Sequence, residues 1–195
     1  MCHIYQLSRP RPKGEDMDIM VIVLIVLLVI TPIVASFNGK IQGTTLYVGK
    51  LLGEVELARD LPNGYQDAIT PGFQTKLNLL NPVLWLGLLI IGSIIGWWLG
   101  IVAVIVTAFN YSIIGKMLPK RLGYYVMILM NDMNKRTADY LKNGDKERAK
   151  ACKLMAKDLT NYYLSIKDIE MPVPDFKYSK NMPVGGYVVD DEREI

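Results

Sequence analysis

The chain of 195 residues holds one histidine, His3, and two cysteines, Cys2 and Cys152, near opposite ends. Imidazole acid–base catalysis, a His-rich metal site and a zinc or CxxC arrangement all need more of these side chains at closer spacing. His3 therefore reads as a solvated bystander. No P-loop, GxSxG, HExxH, EF-hand loop or dinucleotide fingerprint occurs. No catalytic residue, cofactor or metal ligand is expected, and the expected role is non-enzymatic. Two patterned sets remain, one suited to packing and one to contact with negative charge. Gly92, Gly96 and Gly100 recur every fourth residue. On one helix they would align three missing side chains and let another helix approach closely. Lys146, Arg148, Lys150, Lys153 and Lys157 form a basic set suited to lipid headgroups or a partner protein.

Both sets need helices to carry them, and the composition supplies these. The chain is 51% hydrophobic, and the excess sits in two segments. The second, residues 77–115, carries no charge, and its middle from Val83 to Phe109 is almost continuously apolar. It is expected to form one transmembrane helix, since ~20 apolar residues suffice for a crossing. A competing reading folds this segment into a hairpin that re-enters from one side, with Gly96-Trp97-Trp98 at its turn. The single span is preferred because about 27 apolar residues are short for two full crossings. The first segment, residues 19–37, is an uncharged run rich in Val, Ile and Leu, with Pro32 near its end. It reads as an uncleaved span, because Glu15, Asp16 and Asp18 stand where a signal peptide has basic residues.

Residues 1–18 carry Pro10 and Pro12 among polar neighbours and read as a flexible arm, with Met17 an alternative start. Residues 38–76 read as an extracytoplasmic loop with one short amphipathic helix after Thr44-Thr45, its apolar face being Val48, Leu51, Leu52, Val55 and Ala58. Residues 116–167 read as a cytoplasmic αα-hairpin. Its turn lies at Asn143-Gly144, Asp145 caps the second helix, and Ala149, Cys152, Met155, Ala156, Leu159, Tyr163 and Ile166 follow at helical spacing. Tyr140 to Asp145 followed by Ala149 resembles the inter-helix turn of a tetratricopeptide repeat, without the 34-residue period that such repeats show. Met127, Met130 and Met133 are expected to fill a core. Residues 168–195, broken by Pro172, Pro174 and Pro183, read as a disordered acidic tail.

Charge is uneven along the chain. Residues 116–157 hold eleven basic and four acidic side chains, a net +7, and residues 158–195 hold four basic and eight acidic, a net −4. The overall +3 is too small to imply nucleic-acid binding. Arg9, Arg11, Lys13, Lys116, Lys120 and Arg121 flank the two expected spans on one side, against Lys40, Lys50 and Lys76 on the other. This bias favours cytoplasmic termini and an outside loop. The sequence thus reads as an all-α membrane protein with two transmembrane helices, a cytoplasmic helical hairpin and an acidic tail. Its expected partners are membrane lipids and other membrane subunits or a second copy. In architecture alone it resembles small inner-membrane accessory proteins of bacterial secretion and conjugation systems, including exclusion proteins, which implies a role in assembly. An anionic-lipid-interacting protein is the alternative.

Overall fold

The computed structural model describes residues 14–53 and 64–183, with side chains from Met17 onward. The described residues form seven helices, in order α1 (Gly14–Leu52), α2 (Tyr65–Ile69), α3 (Gly72–Ile95), α4 (Leu99–Met117), α5 (Leu122–Lys142), α6 (Lys146–Ile166) and α7 (Phe176–Asn181). Among the described residues the only β-type pairing is an isolated bridge between Arg121 and Pro172. Among the described residues three helices, within Met17–Leu52, Gly72–Ile95 and Leu99–Met117, are long and apolar enough to cross a membrane.

The first correction concerns α1. It does not end at Phe37 but continues unbroken to Leu52, about 58 Å in all at 1.5 Å per residue. Residues 38–52 are thus helix, not loop. Ile41 and Val48 are fully buried along this extension, while Thr44 and Thr45 donate their hydroxyls to the carbonyls of Lys40 and Ile41 at 2.9 Å each. Those bonds satisfy the hydroxyls inside the helix. Gly43 and Gly49 allow neighbours to close in: a Cβ on Gly43 would stand 3.1 Å from the Pro174 carbonyl oxygen, and one on Gly49 would stand 2.5 Å from Gln66. The later part of the expected amphipathic helix, Val55 and Ala58 included, falls outside the described residues.

The second correction concerns residues 77–115, which form two helices instead of one. The chain turns at Gly96-Trp97-Trp98, and α4 returns against α3. A turn here resolves the position of the tryptophans, which would otherwise sit at mid-span. Both are exposed, Trp97 at 79% and Trp98 at 52%. The helices α1, α3 and α4 pack as one bundle. Asn38 Nδ2 donates to Asn78 Oδ1 at 2.8 Å, and a Cβ on Gly87 would touch Leu27 at 3.7 Å, so α3 runs antiparallel to α1. Equal steps along both helices from that contact bring Asp18 level with Gly96. The contact of Lys40 with Leu118 does the same for α4, which runs parallel to α1. One end of the bundle is therefore defined by Asp18 and the tryptophan turn, and the other by Asn38, Asn78 and Leu118. These ends lie about 27 Å apart, close to the thickness of a bilayer's hydrocarbon core.

Beyond the second end, the distal part of α1 enters the core of a helical domain. Val48 packs with Tyr65 and Ile69 of α2, with Leu122, Val126, Leu129 and Met133 of α5, and with Cys152, Met155, Ala156, Leu159, Tyr162 and Ile166 of α6. The helices α5 and α6 meet along most of their length. Their turn uses Gly144 at φ 76, a left-handed conformation that favours glycine, and Asp145 caps α6 by accepting from the Arg148 amide at 3.1 Å. Arg136 of α5 donates to the carbonyls of Ala68 and Thr70 and pairs with Asp132 at 2.7 Å. The expectation that residues 38–76 and the α5–α6 pair lie on opposite sides of a membrane does not fit these contacts. Both belong to one packed unit.

Residues 168–183 depart from the expected disorder. Met171 accepts from the Leu122 amide at 2.8 Å, and the Val173 amide donates to Lys120 at 2.8 Å. The short helix α7 then docks on α1. There Lys50 Nζ donates to the carbonyls of Lys180 and Met182 at 2.6 and 2.8 Å. The acidic end at residues 190–194 and the arm at residues 1–13 lie outside the described residues.

Candidate functional site

The three glycines do not share a helix face. Gly92 lies in α3 and Gly100 in the first turn of α4, and they meet across the turn. A Cβ on Gly92 would stand 2.6 Å from the Gly100 Cα. Gly96 closes α3 in an extended conformation and donates its amide to the Gly92 carbonyl at 2.9 Å. The close approach that small residues permit is therefore used within the chain, between α3 and α4.

The basic set lies along α6, where Lys146, Arg148, Lys150, Lys153 and Lys157 are all exposed. Arg148 is drawn aside: it stacks over the Tyr140 ring at 5.9 Å and pairs with Asp145 at 3.5 Å. The four lysines remain as one stripe at spacings of three and four residues. On the opposite face of α6, Cys152 is buried among Met155, Leu159 and the α5 side chains. Burial pushes its thiol up from the ordinary value, in keeping with a side chain packed in the core. Of the methionines, Met133 is in the core and Met130 packs against it.

A cavity of about 470 Å³ opens where the bundle meets the helical domain. Its walls come from α1 (Ser36, Gly39, Lys40), the end of α4 (Tyr111, Ser112, Gly115, Lys116), Lys120 beyond it, and residues 172–176. The pairing of residues 171–173 with 120–122 holds that last wall in place. Lys40 is fixed by donating to the carbonyls of Leu118 at 3.3 Å and Pro119 at 2.9 Å, with the Tyr125 ring 5.9 Å away. Tyr125 itself donates to the Pro119 carbonyl at 3.1 Å, and burial, helped by neighbouring Tyr124, pushes its hydroxyl up to about 12. It stays a neutral donor at physiological pH. Ser36 donates to the Tyr111 carbonyl at 3.4 Å, which ties α1 to α4 beside the opening.

Sequence reasoning named none of this cavity's residues as a site. Lys40 is far in the chain from Lys116 and Lys120, and it counts as a loop charge until α1 is known to continue. The detectable signal was Ile41, Val48, Leu51 and Leu52, a helical period already running on from the first apolar segment. No protein family, characterised protein or solved structure matches this chain.

Proposed function

We propose that the protein is a three-span membrane accessory or assembly subunit, without enzymatic activity, that presents its helical domain in the cytoplasm to other proteins. One observation carries this reading: α1 passes without a break from the apolar bundle into the core of the domain, where Val48 is fully buried. A helix continuous across both units couples them as a rigid strut. The domain is thereby held at a fixed distance and orientation above the bilayer, as a docking module requires.

The orientation follows from charge. Residues 38–52, 64–76 and 116–121 belong to one end of the bundle, so Lys40, Lys50, Lys76, Lys116, Lys120 and Arg121 count together, against Arg9, Arg11 and Lys13 at the other end. The tryptophan turn adds no charge. Six against three favours the domain side as cytoplasmic. With an odd number of spans the N-terminal arm then lies outside, opposite to the expectation from two spans. The exposed lysine stripe on α6 is the surface offered to an acidic partner protein.

The test is crosslinking in native membranes followed by purification of the intact chain. One partner should be recovered in fixed stoichiometry, and reversing the stripe with Lys146→Glu, Lys150→Glu, Lys153→Glu and Lys157→Glu should lower its yield at least tenfold. Recovery of the chain with no protein partner would contradict the reading.

A further inference from the structure

We propose that the cavity between α1, α4 and residues 172–176 binds a phosphate-bearing anionic headgroup, with Lys40, Lys116 and Lys120 as its cationic contacts. The inference rests on the three-span placement above, which brings the cavity to the level where headgroups lie. Lys40 is two residues past Asn38, and Lys116 is in the last turn of α4. Both are thus just beyond the apolar part of the bundle. Three lysines converge on one cavity from two distant stretches of chain, Lys40 from α1 and Lys116 and Lys120 from the end of α4 and the turn that follows it. Lys40 is oriented in advance by the Leu118 and Pro119 carbonyls, which use two of its three ammonium hydrogens. The side chains of Lys116 and Lys120 have no hydrogen-bond or ion-pair partner among the described residues.

Among the described residues the lining carries a single carboxylate, Asp175, and that group is engaged: it caps α7 by accepting from the Lys177 amide at 3.2 Å. The cavity therefore keeps an excess of positive charge. Ser36, Ser112 and Tyr111 add hydroxyls, and Gly39 and Gly115 leave room between the lysines. Lysine ammonium groups act as point charges toward phosphate, and several at one polar opening suit an oxyanion better than a neutral ligand. An adjoining hollow, also lined by Lys116 and Lys120 and by the paired Arg121 and Glu170, extends along Met117, Leu118 and Tyr124. Together they offer cationic and apolar surface side by side, which fits a headgroup with a glycerol or acyl portion attached. The shared chemistry is phosphate. Its source is a membrane lipid or a soluble phosphate.

The experiment uses the full chain in nanodiscs of phosphatidylcholine, with or without about a third phosphatidylglycerol, and in phosphatidylcholine with added inorganic phosphate. Acetylation of individual lysines is followed by mass spectrometry. Phosphatidylglycerol should slow acetylation of Lys40, Lys116 and Lys120 by roughly fivefold each, the factor expected for one lysine beside an anionic surface. Lys116→Gln with Lys120→Gln should abolish the slowing at Lys40, and both positions are exposed, so the variant should keep the wild-type unfolding midpoint. Replacing the four α6 lysines by Gln should leave the slowing intact. Equal protection by inorganic phosphate assigns the site to a soluble phosphate and supports the anion site while removing the lipid source. Equal acetylation under all three conditions, or slowing that disappears with the α6 variant, overturns the proposal. Cysteine accessibility at the tryptophan turn reports the three-span placement separately, so failure here with that placement intact removes the headgroup site alone.

Discussion

Asn38 and Asn78 join α1 to α3 through one amide–amide hydrogen bond of 2.8 Å, and Gln42 reaches the same Asn78 oxygen at 2.7 Å. Asn38 is buried and Asn78 is at the surface, so the bond fixes the register of the two helices from the rim of the bundle. Asn78→Leu should leave the Asn38 amide unpaired and cost about 1–3 kcal/mol. Adding Asn38→Leu should recover much of that loss, because two apolar groups replace both partners of the bond. Thermal unfolding in detergent of the two single variants and the double checks the cycle. Additive losses would mean that the bond contributes nothing.

The Gly92–Gly100 contact predicts a graded series. Gly100→Ala puts a methyl about where Ser93 and the Leu89 carbonyl already stand, at 2.4 and 2.5 Å, and should cost about 1–3 kcal/mol as overpacking. Gly96→Ala meets the flexible end of Leu99 at 3.2 Å and the Trp98 ring nitrogen at an ordinary 3.8 Å, and should cost much less. Protease resistance of the tryptophan turn separates them. A larger effect at Gly96 than at Gly100 would indicate a single helix with a glycine stripe.

How far the sequence revealed this arrangement follows from what each signal reports. Gly144, Asp145 and the apolar period of α6 are local, since turn geometry, capping and burial of one face need only neighbours in the chain. The break at Gly96 was less legible. Gly92, Gly96 and Gly100 have the same spacing whether they line one helix or bracket a turn, and Trp97-Trp98, which favours the turn, was outweighed by the count of apolar residues. Counting apolar residues also misled, because α3 begins at Gly72 and includes Asn78 and Asn81. Polar residues in its first turns are accommodated at the rim, so α3 and α4 each reach crossing length. The cavity was not legible, because Lys40 meets Lys116 and Lys120 only after α1 has packed beside the end of α4.

Tyr65 supplies a pH dependence. Its ring is buried in the domain core and its hydroxyl faces the Met155 carbonyl at 3.4 Å; burial, and then Asp158, raises its ionisation above the ordinary 10.0. The folded protein therefore holds the Tyr65 proton where the unfolded chain releases it. Stability from this group is complete below pH 10 and falls as pH rises beyond it. Urea unfolding between pH 8 and pH 11, on the scale set by the tyrosine reference value of about 10, should show a steeper alkaline loss in wild type than in Tyr65→Phe. Parallel profiles would exclude Tyr65 as the source.

The account depends most on the tryptophan turn and the helical domain facing opposite sides of the membrane. Single substitutions Trp97→Cys, Thr75→Cys and Asn143→Cys, all at exposed positions, are made in a chain carrying Cys2→Ser and Cys152→Ala. They are then exposed to an impermeant maleimide in intact cells. The three-span arrangement predicts labelling of the Trp97→Cys variant, with Thr75→Cys and Asn143→Cys labelled only after permeabilisation. Labelling of Thr75→Cys in intact cells while Trp97→Cys and Asn143→Cys stay protected would contradict it, and would restore two spans with an outside loop.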